Sequence, residues 1–148
     1  MLRIERFSLK YLDSLNECFN SIFDRNELAY YKKIEDFSNS YIGISRLGNV
    51  KAFIIVNKTE KHRVESKFGE YEIAYLGVNK KYRGCGYGKL LLNLVMNDLK
   101  GRCLWLNALA NNDIACKLYK ELGFREIERY IDNSGNNSIA FATVECLE

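Results

Sequence analysis

A chain of 148 residues, 47% apolar and 28% charged, has the size and balance of one folded domain and no room for a second core. Its 22 basic and 19 acidic residues leave a net charge of +3, too weak and too spread to form the basic stripe of a nucleic-acid binder. No apolar run nears the ~18 residues of a membrane span. The opening Met1-Leu2-Arg3-Ile4-Glu5-Arg6 puts charges where a secretion signal needs its apolar stretch, so a cytoplasmic protein is expected.

A short strand is expected over residues 2–9. Ser8 would cap a helix whose apolar positions Leu12, Leu15, Phe19 and Ile22 follow the helical period. Residues 24–40, with Leu28, Tyr30, Tyr31, Ile34 and Phe37, suggest a second, irregular helix. Two β-rich segments, 41–47 and 50–57, flank Gly48-Asn49, a two-residue hairpin signal. Residues 58–70 are polar strand ends and loop, and the lone histidine there, His62, reads as solvated. A strand over 71–78 and a helix over 86–100, striped by Leu91, Leu94, Val95 and Leu99, come next.

A strongly apolar strand follows over 103–109. The helix over 112–122 carries Ala115, Leu118, Tyr119 and Leu122 at i, i+3, i+4, i+7 and stops at Gly123. Strands over 125–131 and 138–147 then pair as a hairpin, the last alternating Ile139, Phe141, Thr143 against Ala140, Ala142, Val144. The order βααβββαβαββ fits one α/β domain (α+β in some schemes) over residues 1–148. It predicts a central mixed, mostly antiparallel sheet of about seven strands with helices on both faces.

Cys18, Cys85, Cys103, Cys116 and Cys146 are odd in number and lack any C-x-x-C pair. With a single histidine, neither a metal site nor a structural disulfide is expected. Most read as small buried hydrophobes in a reducing compartment. The chain has no proline, so its turns rest on Gly, Asn, Asp and Ser.

The chemistry concentrates in one stretch: Glu72-Ile73-Ala74-Tyr75-Leu76-Gly77-Val78, four residues, then Arg83-Gly84-Cys85-Gly86-Tyr87-Gly88-Lys89. This is strand, tight turn, helix. Glycines at alternate positions let backbone N–H groups converge, and the following helix adds its positive end, an arrangement that binds a phosphate or pyrophosphate. A P-loop is excluded, because three residues rather than four separate Gly84 from Gly88 and Leu90 follows Lys89. The dinucleotide fingerprint is excluded too, because Lys89 stands where its third glycine belongs.

On these residues the chain resembles the GNAT superfamily of N-acetyltransferases. That family has a strand ending in L-x-V, four residues, then (Q/R)-x-x-G-x-(G/A) opening a helix. Leu76-Gly77-Val78, Arg83, Gly86 and Gly88 match it. A second block, N-x-x-A-x-x-L-Y-x-x-x-G-F, is matched by Asn112, Ala115, Leu118, Tyr119, Gly123 and Phe124. The resemblance covers residues 2–147, departing at Lys80, where the family often has proline.

The resemblance implies acetyl-CoA as co-substrate and no metal. Backbone amides of Leu76, Gly77 and Val78 would pair with the pantetheine arm, and those of Arg83, Gly84, Cys85, Gly86, Tyr87, Gly88 and Lys89 would cradle the pyrophosphate. The side chains of Arg83 and Lys89, more than those of Lys80 and Lys81, would meet phosphates. Asn112 would meet the cofactor where the central strands splay, or cap its helix, or both. Tyr119 would protonate the departing thiolate, against the plain alternative of a core aromatic. Glu72 would take the amine's proton, as in the histone-acetylating branch, unless it marks the wet end of its strand. A branch that acetylates protein N-termini has a glutamate in L-W-L-E. Here the residues are Leu104-Trp105-Leu106-Asn107, a departure that counts against that substrate class without excluding it, since Glu72 or a water chain could serve.

The expected activity is acetyl transfer to a primary amine, on a small molecule or on a protein N-terminus or lysine, by direct attack in a ternary complex. The acceptor would lie against residues 24–40 and the loop 132–137. A non-catalytic acyl-CoA sensor is the alternative. A monomer or homodimer without nucleic-acid or membrane partners is expected.

Overall fold

The computed structural model describes residues 1–23, 38–58 and 69–143. Strand β1 is Arg3–Arg6, shorter than 2–9, because Phe7 N–H already turns to Ser40 O at 3.0 Å and Ser8 becomes a cap. Ser8 caps through its backbone alone: its carbonyl accepts from Tyr11 N–H, while its hydroxyl makes no capping bond. A 3-10 turn, Leu9–Tyr11, leads into α1, Leu12–Phe23. Leu15, Cys18 and Phe19, at i, i+3 and i+4, form its buried stripe. Phe19 is fully buried, and its ring meets Tyr75 edge-on at 4.8 Å between centroids.

Strands β2, Tyr41–Ile44, and β3, Val50–Lys58, run antiparallel with Tyr41 opposite Ile54 and Gly43 opposite Ala52. Their connection is not the two-residue turn that Gly48-Asn49 suggested. Ser45 closes it, donating N–H to Asn49 O and accepting Gly48 N–H, both at 2.9 Å. This releases Leu47 into solvent, where it is 89% exposed. Gly48 takes the left-handed backbone, at φ +86°, inside this longer loop.

Strand β4 is Tyr71–Val78, β5 is Leu104–Leu109, β6 is Arg125–Ile131 and β7 is Asn137–Ala142. They complete one seven-stranded sheet in the order β1-β2-β3-β4-β5-β7-β6. It is mixed: β4 and β5 are parallel, while β1–β2, β2–β3, β5–β7 and β6–β7 are antiparallel. Insertion of β7 between β5 and β6 buries Ser138 through Ala142, so its alternation is of large against small residues rather than apolar against polar. Thr143 leaves the strand but stays bonded to Leu104 through both backbone and hydroxyl. The edge strand β6 is exposed, charged and bulged between Glu126 and Glu128, devices that discourage stray strand pairing.

Helix α2, Tyr87–Asp98, buries Leu91, Leu92 and Val95, so Leu92 takes the core position expected of Leu94, which is half-buried. Helix α3, Asp113–Glu121, ends in a left-handed glycine, Gly123, at φ +99°. Phe124 N–H then reaches back to Tyr119 O at 3.0 Å, a Schellman closure that drives Phe124 into the core.

The chain divides into two compact units, Met1–Asn57 with Tyr75–Asp98 and Lys58–Ala74 with Leu99–Glu148. In the first, Asp98 accepts from Tyr41 Oη and pairs with Arg6 at 2.9 Å, tying β1, β2 and α2 together. In the second, Arg102 pairs with Glu70 at 3.0 Å.

Among the cysteines, Cys18 and Cys116 are buried and free, as small hydrophobes should be, and Cys85 is free and exposed. Cys103 is disulfide-bonded, which corrects the expectation of no disulfide. Bonding follows proximity in the fold, and scattered positions along a chain do not reveal it. The predicted second helix, the charged stretch with His62 and the last strand's end at residues 144–147 lie outside the described residues. Among the described residues, no helix is long and apolar enough to cross a membrane, and no group of metal-ligating side chains gathers.

Candidate active site

In the first unit, the end of β4 runs into a turn built almost wholly of backbone. Gly77 is required by packing, since a Cβ there would sit 2.7 Å from Phe53 Cζ and 3.1 Å from Ile22 Cδ1. Asn79 donates N–H to Lys51 O at 2.7 Å and accepts Lys81 N–H on Oδ1 at 3.0 Å, capping the 3-10 turn Lys80–Tyr82. That cap explains how the chain tolerates lysine at 80. Arg83 donates Nε–H to Val78 O at 3.0 Å, clamping the strand end to the turn. Its terminal nitrogens project from an exposed side chain, as do the ammonium groups of Lys80, Lys81 and Lys89.

Gly84 and Gly86 hold φ of +77° and +86°, a backbone only glycine adopts freely. Gly88 is different. Its φ is ordinary, it lies in the first turn of α2, and a Cβ there would meet nothing within 4 Å. Glycine in a helix is less favourable than alanine by ~1 kcal/mol, and among the described residues neither packing nor strain demands it. The space in front of Gly84, Gly86 and Gly88 is open in each case. Leu90 N–H makes a helical bond to Gly86 O at 3.0 Å, so the N–H groups just before it have no intrahelical partner. The turn can therefore take an anion against bare backbone at a helix N-terminus.

In the second unit, the residues of interest are side chains. The parallel pairing of β4 with β5 consists of Tyr71↔Leu104 and Glu72↔Trp105, so β4 beyond Glu72 is not part of that ladder. Glu72 is half-buried, neither sealed in the core nor fully wet. Asn107, on β5, stands in register with Ala140 of β7, which in turn faces Glu128 of β6. Tyr130 reaches across this surface and donates its hydroxyl to Asn107 Oδ1 at 2.5 Å. Burial raises the Tyr130 pKa first, and the charges of Asp132, Glu72 and Glu128 raise it further, so the phenol stays neutral. Asp132 is engaged in the hairpin loop, accepting from Ser134 N–H, Asn136 N–H and Ser138 Oγ–H. An open cavity of about 300 Å³ adjoins Tyr130 and Ser138.

Tyr119 packs its ring against Phe141 at 5.8 Å and Phe124 at 6.1 Å. Its hydroxyl has no hydrogen-bond partner among the described residues. Burial raises its pKa, with the neighbouring Cys116 adding a little, so Tyr119 keeps its proton through neutral pH. The phenol is thus wedged by two rings and stays neutral. Asn112 caps α3, its Oδ1 accepting Ala115 N–H at 3.2 Å.

The acetyltransferase (GNAT) family model matches residues 9–124, a stretch that includes the glycine turn and Tyr119. The chain belongs to that family. Among relatives, the Mycobacterium tuberculosis N-alpha-acetyltransferase RimI is 33% identical over 98 residues, 64% of this chain and 52% of that protein. The chain thus spans about half the length of that relative. The Bacillus subtilis spermine/spermidine N(1)-acetyltransferase is 24% identical over 128 residues, covering 84% of this chain and 77% of its own length. Arabidopsis thaliana NAA60, solved in complex with acetyl-CoA, superposes with a TM-score of 0.75 at 21% identity, covering 96% of this chain and 98% of that one. At that identity the likeness speaks for the fold.

As a GNAT chain, it distributes the residues singled out in the sequence over both units. Leu76, Gly77, Val78 and the turn from Arg83 to Lys89 share the first. Glu72, Asn112 and Tyr119 share the second. Tyr87 was singled out for its backbone amide, and its side-chain hydroxyl accepts from Leu2 N–H. Asn112 is committed at Oδ1 to its helix. The contact that sequence reasoning missed is Tyr130 with Asn107. Asn107 was conspicuous as a departure from L-W-L-E, but nothing in the chain order placed a phenol on it.

Proposed function

We propose that residues 1–148 form a cytoplasmic N-acetyltransferase domain that transfers the acetyl group of acetyl-CoA to a primary amine, without a metal. The observation that carries this reading is Gly88: a helical glycine with ordinary φ and open space before it makes sense where a ligand lies against the backbone. The donor set fits the diphosphate of coenzyme A, which converging N–H groups, a helix N-terminus and the cations of Arg83 and Lys89 would hold. Acetyl-CoA supplies the acetyl group as an activated thioester.

The chain's own residues then have separable tasks. The turn binds and orients. Tyr119 holds a proton on Oη that a departing thiolate can take, and its raised pKa keeps that proton available. Glu72 is the carboxylate suited to receive the amine's proton, since Asn107 cannot. Tyr130, held by Asn107, offers its oxygen lone pairs to an ammonium. The relatives are named for both N-terminal and polyamine acceptors, and either class presents a primary amine.

Acetyl-CoA at a hundred times its Kd should stabilise the native state by about 2.7 kcal/mol, read as a rise in Tm. Gly88→Leu, whose Cβ meets no atom of the described residues within 4 Å, should fold with a Tm near wild type and lose that rise. Wild type without a shift at millimolar acetyl-CoA overturns the reading.

A further inference from the structure

Tyr87 is the first residue of α2, between Gly86 and Gly88, yet its side chain leaves the turn. Its hydroxyl accepts Leu2 N–H at 2.7 Å in a part-buried setting, across 85 residues of chain. Its ring meets Tyr82 edge-on at 6.4 Å, and Tyr82 belongs to the 3-10 turn just before the glycines. Leu2 is itself fixed: it is 5% exposed, and its Cδ1 lies 3.1 Å from where a Cβ on Gly43 would stand. The far end of the strut is therefore anchored in the core.

A turn made of glycines has the opposite problem. Glycine carries the largest backbone entropy, so Gly84, Gly86 and Gly88 would wander unless something outside them fixes their frame. Two side chains supply fixed points. Arg83 Nε is bonded to Val78 O ahead of the glycines, and Tyr87 Oη is bonded to Leu2 N–H among them. The Arg83 bond stays within the strand and its turn. Of these two side-chain bonds, that of Tyr87 reaches a segment distant in sequence, as the backbone bond from Asn79 N–H to Lys51 O does ahead of the glycines.

We propose that Tyr87 is a positioning residue for the anion-binding turn, its hydroxyl tying the first turn of α2 to the segment that begins β1, so that the backbone N–H groups are in place before a ligand arrives. The inference rests on the acetyl-CoA reading for what the ligand is, and on the Tyr87–Leu2 bond for how the turn is held. Tyr87→Phe removes one oxygen, keeps the ring on Tyr82, and leaves a part-buried N–H without its partner.

Two measurements on the whole chain test it. Amide hydrogen exchange without ligand should show residues 84–90 exchanging about three- to tenfold faster in Tyr87→Phe, the range one hydrogen bond sets, while residues 104–109 and 137–142 exchange as in wild type. Unchanged exchange at 84–90, or equal acceleration in both regions, overturns the proposal whatever the ligand. Titration with acetyl-CoA should show a Kd raised by about the same factor in Tyr87→Phe, with kcat at saturating acetyl-CoA unaltered. A faster-exchanging turn with wild-type acetyl-CoA affinity overturns the positioning role. Wild type that fails to bind acetyl-CoA overturns the functional reading instead, and leaves the exchange result to decide the strut.

Discussion

The glycine turn of the first unit and the side-chain surface of the second are built by opposite means. The turn from Arg83 to Lys89 is backbone, and what distinguishes it is missing side chains: Gly84 and Gly86 by their φ, Gly88 by the empty space before it. The surface of β5, α3, β6 and β7 is side chain: Tyr119 between two rings, and Tyr130 on Asn107. Backbone binding suits the part of a ligand that never changes, because amides cannot be altered by substitution. Side chains suit the part that reacts, because only they carry removable protons at neutral pH. Substitutions in the side-chain surface should therefore change rate more than cofactor affinity, and those in the turn the reverse.

The largest effect expected is on turnover. Tyr119→Phe and Glu72→Gln should each lower kcat by roughly 10²–10⁴-fold with little change in the Kd of acetyl-CoA. Because burial raises the Tyr119 pKa above its ordinary value near 10, loss of its proton should not limit the wild-type rate below about pH 10. Glu72→Gln should suffer most where the acceptor amine is still protonated and recover partly at high pH. A pH–rate profile and a titration on each variant decide the matter. Normal turnover in Tyr119→Phe would reduce it to a packing residue. Flat, wild-type-like rates in Glu72→Gln would remove it as the base. Coenzyme binding without any release of coenzyme A from a panel of amines and peptides would favour the sensor instead.

A smaller effect separates Tyr130 from its surroundings. If Asn107 orients the Tyr130 hydroxyl toward the acceptor, Tyr130→Phe and Asn107→Ala should each raise the acceptor KM a few-fold. In the double variant the losses should fall short of additive by about 0.5–1.5 kcal/mol, the worth of one hydrogen bond. Fully additive losses would mean that the two residues act independently and that the bond is incidental.

The same contrast explains what could be read from the chain beforehand. Strand β4 and helix α3 were legible because periods of 2 and 3.6 are local, and the glycine turn because its spacing occupies seven consecutive residues. Asn79 as a cap, replacing the proline common at 80, is also local, though it becomes evident only with the turn in view. What escaped depends on strand order and register. Tyr130 and Asn107 are 23 residues apart and meet because β7 lies between β5 and β6. Leu92 took the place of Leu94 because the buried side of α2 is set by its packing, which a stripe of leucines leaves ambiguous. The Gly48-Asn49 turn was misplaced because the Ser45 hydroxyl and backbone close the loop earlier, a competition that dipeptide statistics omit.

The mildest test uses a thiol to ask whether the turn is as open as its glycines imply. Three cysteines among the described residues are free, and they differ in exposure. Burial pushes the Cys18 thiol up to about 11, which leaves almost no thiolate at neutral pH, and Cys116 is buried with its Sγ–H directed to Leu109 O at 3.7 Å. Cys85 is exposed between Gly84 and Gly86, holding only a long contact from Sγ to Arg83 O at 3.8 Å. A neutral maleimide at pH 7 should therefore label Cys85 ahead of Cys18 and Cys116. Saturating acetyl-CoA should slow that labelling several-fold, while inorganic phosphate at the same concentration does little. Since maleimide is neutral, protection would report coverage of the turn rather than charge repulsion. Labelling of Cys85 at the same rate with and without acetyl-CoA would mean that the ligand does not lie across these glycines, and the backbone-built turn would lose its place as the anion's binding point.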